Sequence, residues 1–351
     1  MYDSNLATWF FTFIATDFCY YWFHRMAHEV NIMWAGHVIH HSSEYYNLST
    51  ALRHSVFQEL CSWIFYMPMA FMIPPPMFAF HKQLNLFTQF WIHTETIPRL
   101  GWLEYIINTP SAHRVHHGRN PYCIDKNYAG ALIIWDRMFG TYQDELVYPQ
   151  VVDSKDKEEK VAYGITHPIN TFNPLVIQTH HLRHVLTTAF SVKGIANKFK
   201  AVFFGPGWHE GTARLGDPEE IPKIEQSSPP VKYDPIIPFT MNLYCVIQTA
   251  ATAGIADYVL LRLSSLPGVF LKLAAVWIFF AYYSLGSIMD RKPYFRELEL
   301  FRLFAGVVLC NYVSSHSDLY QISRFIPWSL NILYLVSILF LIWTYISQKS
   351  K

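Results

Sequence analysis

Nine histidines carry the chemistry of this sequence. His24 and His28 stand four residues apart, which puts two imidazoles on one face of a helix. His37, His40 and His41 follow in the pattern HxxHH. His113, His116 and His117 repeat that pattern after a long apolar segment. One such pair is commonplace, but three groups in one apolar chain are metal-ligand spacing. His93 ends the apolar run FTQFWIHTE, with Gln89 one turn before it. If the intervening segment folds back, His93 returns to the same side and joins the set. Neutral imidazole suits iron, zinc or copper, whereas calcium and magnesium take oxygen ligands. One zinc takes three or four protein ligands, so nine histidines are too many for one ion and enough for two. Two irons beside a membrane could activate dioxygen and attack a C–H bond of a lipid chain, a redox step zinc cannot perform.

Two acidic residues are candidates to support that chemistry. Asp17 interrupts an apolar run two helical turns before His24, and an ionisable group inside a span is costly and usually functional. It is expected to accept the outer ring N–H of His24 and fix its tautomer. Glu29 follows His28 and points to another face of the helix.

The elements that must position these residues are apolar. The 351 residues are 52% hydrophobic and 15% charged, against about a quarter charged in a soluble chain. The expectation is an all-α, polytopic membrane protein. Residues 5–23 give a first candidate span of about the roughly 20 residues a bilayer needs. Residues 56–97 are broken by Pro74, Pro75 and Pro76, which cannot continue a helix, and read as a hairpin that dips in and returns. In residues 118–142, an ordered segment under the site, Asn120, Asp125, Asn127 and Asp136 could orient ligands. Residues 143–236 hold charges of both signs. His180, His181 and His184 there invert the repeated pattern and read as ordinary histidines. Residues 239–261, 268–289 and 328–346 are further spans, with a short, partly embedded segment at 303–315.

Three parts follow: a membrane-embedded catalytic domain at 1–142, a cytosolic segment completing it at 143–236, and C-terminal transmembrane helices at 237–351. Basic residues cluster at Lys155, Lys157, Lys160, Arg183, Lys193, Lys198 and Lys200, at Arg291, Lys292, Arg296 and Arg302, and at Lys349 and Lys351. Paired crossings separate these blocks, so all can face the cytosol, and the histidines with them. A net charge of +1 argues against nucleic acid as a partner. The five cysteines are scattered and form no CxxC. No nucleotide-binding glycine loop, GxSxG or HExxH occurs, so electrons must come from outside.

The order HxxxH, HxxHH, HxxHH around an apolar hairpin resembles the fatty acid hydroxylase/sterol desaturase superfamily of membrane di-iron oxygenases. The stretches HRMAHEVNIMWAGHVIHHSSEYYNLSTALRHS, SAHRVHHGRNPYCIDKNYAGALIIWDRMFGTY and FGPGWHEGTARLGDP are similar in particular to its ether-lipid-cleaving members. By that resemblance His24, His28, His37, His40, His41, His113, His116 and His117 take the eight-histidine positions, and His93 matches an additional ligand. The resemblance further implies two irons (Fe), O2, tetrahydrobiopterin as reductant and an external pterin-recycling enzyme. It implies an ether-lipid substrate taken from membrane lipid, and a multi-pass protein of the endoplasmic reticulum membrane. Glu29 is then a candidate to bind the guanidine-like edge of the pterin. A sterol oxidase/desaturase or fatty acid hydroxylase of the same superfamily, fed by cytochrome b5, is the alternative. The superfamily carries further membrane helices before its first histidine motif, so this chain is expected to begin late relative to a longer parent.

Overall fold

The computed structural model describes residues 5–145, 161–224, 231–318, 320 and 322–349. Lys155, Lys157, Lys160 and Lys351 of the topology argument lie outside the described residues. Among the described residues the chain is all-α, with no strand and one isolated antiparallel bridge, between Gly118 and Tyr163. It divides into two compact units, Met1–Ile169 with Gln178–Lys232, and Asn170–Ile177 with Tyr233–Lys351.

The first unit is organised by α1 (Leu6–Glu29). The Asn5 side chain caps it by accepting the Thr8 N–H at 2.9 Å, as a good N-cap does. The buried face of α1 carries Thr12, Thr16, Asp17, His24, His28 and Glu29, while Leu6, Phe10 and Phe11 are exposed. That is the reverse of a helix in water and suits one that faces lipid with a polar inner wall. At Val30 the backbone turns extended and α2 (Asn31–His41) sets off in a new direction. The chain folds back at the prolines as predicted, but neither arm of this hairpin nor α1 is among the helices long and apolar enough to cross a membrane, so the span expected at 5–23 is not found among them. α3 (Gln58–Tyr66) and a 3-10 turn at Met67–Phe71 lead to Pro74, after which α4 (Pro75–Ile92) returns. Pro75 opens α4 where a missing N–H costs nothing. α5 (Pro110–His117) and α6 (Ile134–Phe139) follow, then α7 (Pro174–Ser191), whose first turn belongs to the second unit, and α8 (Ile195–Phe203).

The second unit holds α9 (Phe239–Leu260), α10 (Gly268–Met289), α11 (Phe295–Ser315) and α12 (Phe325–Lys349). All four are long and apolar enough to cross a membrane, and the chain is a multi-pass membrane protein. α11 corrects the expectation of a short segment at 303–315, because it starts at Phe295 and has 21 residues. Its first turns looked like a charged flank, yet Glu299 and Arg302 are fully buried and paired with each other at 2.6 Å. Tyr244 and Ser284 donate to the Glu299 carboxylate, and Arg302 also donates to Gln248 at 2.7 Å. The Glu299 carboxylate and the Nε and Nη2 groups of Arg302 are held inside the bundle, which is how a span tolerates such charges.

Candidate metal centre

α1, α2 and α5 present their histidines at helix ends, and His93 sits just beyond the last turn of α4. All nine are buried. They fall into two groups, His24, His28, His37, His41 and His116, and His40, His93, His113 and His117. Within each group the candidate ligand atoms lie within 4.8 Å of one another. The helical repeat explains the division. In each HxxHH, the first and last histidines share one direction and the middle one leans away. Thus α2 gives His37 and His41 to one group and His40 to the other, while α5 gives His116 to the first and His113 and His117 to the second.

The ring nitrogens converge at spacings that suit a shared ion. His37 Nε2 stands 3.0 Å from His24 Nε2 and 3.2 Å from His41 Nε2. His93 Nε2 stands 3.0 Å from the Nε2 atoms of His113 and His117 and 3.2 Å from that of His40. Nitrogens about 2.1 Å from one metal are about 3.0 Å apart at right angles and about 3.4 Å apart in a tetrahedron. Hydrogen bonds alone cannot satisfy three lone pairs aimed at one nitrogen. The Nε2 atoms of His28 and His116 are buried with no hydrogen-bond partner, a costly state that metal ligation relieves.

The outer nitrogens complete the case. His24 Nδ1 donates to the Tyr128 carbonyl at 2.7 Å, His116 Nδ1 to the Lys126 carbonyl at 2.9 Å, and His93 Nδ1 to the Gln89 carbonyl at 2.6 Å. His40 Nδ1 reaches the Arg53 carbonyl at 3.3 Å and His37 Nδ1 the Gln58 side chain at 3.4 Å. An imidazole that donates outward from Nδ1 presents its Nε2 lone pair inward, the tautomer a metal requires. Burial pushes His37 and His116 down to about 3, so both are neutral donors at neutral pH.

Two of the predicted roles change. Asp17 does not meet His24: seven residues of helix rise about 10.5 Å, too far for a hydrogen bond. Its Oδ1 accepts from Asn85 Nδ2 and the Ala131 N–H, both at 2.7 Å. Its Oδ2 accepts from the Leu132 N–H and Trp135 Nε1, both at 3.0 Å. Asp17 therefore moors residues 131–135, a short way along the chain from the Tyr128 carbonyl that holds His24. Gly130 sits so tightly there that a Cβ would lie 2.6 Å from Asn85 Nδ2 and 2.8 Å from Asp17 Oδ1. Glu29 is buried, but its carboxylate accepts from Arg25 Nε at 2.8 Å and from Arg214 Nη1 at 3.0 Å. With both oxygens held by guanidinium groups it joins α1 to the Arg214 loop, and a pterin edge would have to displace one of them.

Among the four loop residues read as ligand-orienting, Asp136 accepts the Tyr128 and Ala129 N–H groups, both at 2.8 Å. Asn127 donates to the Ala112 and Gln143 carbonyls, and Asn120 accepts the Ala162 N–H. Asp125 lies 3.8 Å from His28 Nδ1. Asp125 and Asn127 both adopt φ of 57°, a left-handed conformation Asp and Asn tolerate. The Lys126 and Tyr128 carbonyls of this turn are the ones that reach the histidines. His181 donates from Nε2 to Asn31 Oδ1 at 2.7 Å and belongs to neither histidine group.

Residues outside the sequence argument also matter. Arg114, within the last HxxHH, donates twice to Glu145, each at 2.7 Å, and to the Thr94 and Ile97 carbonyls beside His93. A motif search for histidines passes over it, although an Arg on a wholly buried helix must have a carboxylate partner. A cleft between α1, α3 and α4 is lined by Tyr20, Phe23, Gln58, Tyr66, Leu86 and Gln89 among others. It adjoins the site through Gln58, which faces His37, and Tyr20, whose ring lies 5.2 Å from that of His24.

Histidine-rich helix ends set around an apolar hairpin define a class, and residues 9–141 match the family model described as fatty acid hydroxylase; this segment is a domain of that family. Within it, the chain is similar to alkylglycerol monooxygenase of Homo sapiens, 50% identical over 302 residues, 86% of this chain and 65% of the relative. Alkylglycerol monooxygenase of Danio rerio is 48% identical over 84% of this chain and 63% of the relative. The ornithine lipid hydroxylase OlsE of Rhizobium tropici is 29% identical over 133 residues, 37% of this chain and 40% of that protein. The chain thus spans just under two thirds of the length of the alkylglycerol monooxygenases it matches. No solved structure matches it.

Proposed function

We propose that this chain acts as a di-iron monooxygenase that cleaves the ether bond of alkylglycerols. The observation that carries the reading is the pair of converging imidazole sets, in a chain half identical to an alkylglycerol monooxygenase. His24, His28, His37, His41 and His116 would hold one iron, and His40, His93, His113 and His117 the other. Residues 1–142 and 143–236 would make up the catalytic part and 237–351 its membrane helices. Two irons would supply activation of O2 and insertion of one oxygen atom into the C–H bond next to the ether oxygen.

The neighbouring oxygen lone pairs weaken that C–H bond. The hydroxylated lipid is a hemiacetal, which collapses to a fatty aldehyde and a glycerol derivative. In this reading the alkyl chain is drawn from the surrounding membrane lipid. The Tyr128, Lys126 and Gln89 carbonyls keep the histidines in the ligating tautomer. In this reading the reductant is tetrahydrobiopterin, regenerated by an external pterin-recycling enzyme; no pterin contact is assigned to Glu29. The site faces the cytosol from the endoplasmic reticulum membrane, on the side of Arg183, Lys193, Lys198 and Lys200.

Membranes containing the full chain test the reading by fatty aldehyde release from an alkylglycerol, with a sterol in parallel, each with and without tetrahydrobiopterin. Aldehyde is expected only where alkylglycerol and pterin are both present. Oxidation of the sterol, sustained by cytochrome b5 without pterin, would replace this reading with the sterol oxidase alternative.

A further inference from the structure

We propose that the end of α7 and the whole of α8 form an interfacial element that lies on an anionic bilayer surface and braces the start of α2. This segment falls in the stretch whose composition reads as cytosolic, and the mechanism above makes no use of it. Its exposed side chains include four large apolar ones: Phe190 is 80% exposed, Ile195 83%, Phe199 58% and Phe203 46%. On α8, at 100° per residue, Ile195, Phe199 and Phe203 fall within about 80° of arc. Ala201 is buried on another face, where Asn197 donates to Glu210 at 2.8 Å. Lys198 and Lys200 flank the apolar ridge, each about 60° beyond its edge. An apolar ridge between two long cationic side chains is the arrangement of a helix that lies in a membrane interface, with its lysines reaching the headgroups.

Charge selects the kind of surface. Between residues 174 and 209 the chain holds Arg183, Lys193, Lys198 and Lys200 and no Asp or Glu. A second protein would need a carboxylate-rimmed apolar groove, whereas an anionic leaflet supplies hydrocarbon and negative charge together. The element is also fastened to the metal-bearing helices. The Asn31 N–H, the first of α2, donates to the Phe204 carbonyl at 2.8 Å, and its side chain donates to the Ala201 carbonyl at 2.8 Å. The side-chain oxygen of Asn31 meets His181 Nε2 of α7 at 2.7 Å. Seating α8 on lipid therefore fixes the start of the helix that carries His37, His40 and His41.

The test uses the full chain reconstituted in bilayers of phosphatidylcholine with or without phosphatidylserine. Spin labels are placed at Phe199→Cys, Ile195→Cys and, as a water-facing control, Glu210→Cys, with the signal of the parent cysteines subtracted. In anionic bilayers the Phe199 and Ile195 labels should be severalfold more accessible to O2 than to a water-soluble nickel chelate, and the Glu210 label the reverse. Combining Lys198→Glu with Lys200→Glu should raise chelate access at Phe199 severalfold. Chelate access at Phe199 equal to that at Glu210 would overturn the proposal. So would low access to both quenchers, which would mean that protein covers the face. Equal burial in neutral and anionic bilayers, with no effect of the lysine reversals, would overturn the assignment to an anionic surface.

Discussion

Replacing Asp17 separates a mooring role from a catalytic one. Each carboxylate oxygen accepts two hydrogen bonds, and all four donors are groups that cannot accept. Asp17→Ala orphans four donors in a buried place. At about 1–3 kcal/mol for each orphaned group, the loss exceeds about 4 kcal/mol, a large share of the 5–15 kcal/mol typical of a fold. Asp17→Asn is the sharper probe. Its single oxygen can serve one pair of donors, while its NH2 must face the other pair, so about half of the bonds survive. That costs about 2–4 kcal/mol, or a fall of roughly 5–15 °C in apparent melting midpoint for a unit of this size. Loosening residues 131–135 also shifts the nearby Tyr128 carbonyl, so bound metal should fall along with stability. Thermal midpoints from fluorescence-detected size exclusion, with metal content by elemental analysis on the same fractions, measure both. An Asp17→Asn protein with normal midpoint and metal but no activity would refute the mooring argument and return Asp17 to the chemistry.

The division of the histidines gives a second prediction. His116→Ala and His113→Ala remove ligands from different groups, so each should lower the metal-to-protein ratio from about two by at least one, and each should abolish lipid oxidation; a variant that keeps full metal and activity would remove that residue from the ligand set. pH supplies a third. Burial lowers His37 and His116 below their unfolded value, so the unfolded chain binds more protons from about pH 6.5 downward. Metal-free protein should lose stability as pH falls through 6.5 toward 3, and a midpoint unchanged between pH 7.5 and 5 would contradict neutral buried imidazoles.

The nine histidines were legible because ligand spacing is a property of single helices. HxxxH and HxxHH need only the 3.6-residue repeat, and the triple proline announced the hairpin that returns His93. What the spacing could not reveal was the outer layer. Tyr128, Lys126, Gln89 and Arg53 act through their carbonyls, which every residue possesses, so their side chains advertise nothing. Asp17 was recognised as a polar group out of place, but sharing a helical face with His24 says nothing of distance along the axis. Glu29 pairs with Arg214, 185 positions away, and no local pattern links them. The start of α11 hides its place for the same reason: its charges read as a flank until their partners on other helices are known.

The ion pair of α11 also constrains how the protein is made. An Arg at the centre of a span costs roughly 3 kcal/mol on insertion, and α11 carries a Glu as well. Most of the groups that receive this pair, Tyr244 and Gln248 on α9 and Ser284 on α10, are synthesised earlier. α11 thus meets its hosts as it leaves the ribosome, and α12 arrives last, offering Ser337 to Gln248 at 2.8 Å. Chain order and bonding order agree: the partners of the pair on α9 and α10 precede α11 in the chain, and Ser337 of α12 completes the network.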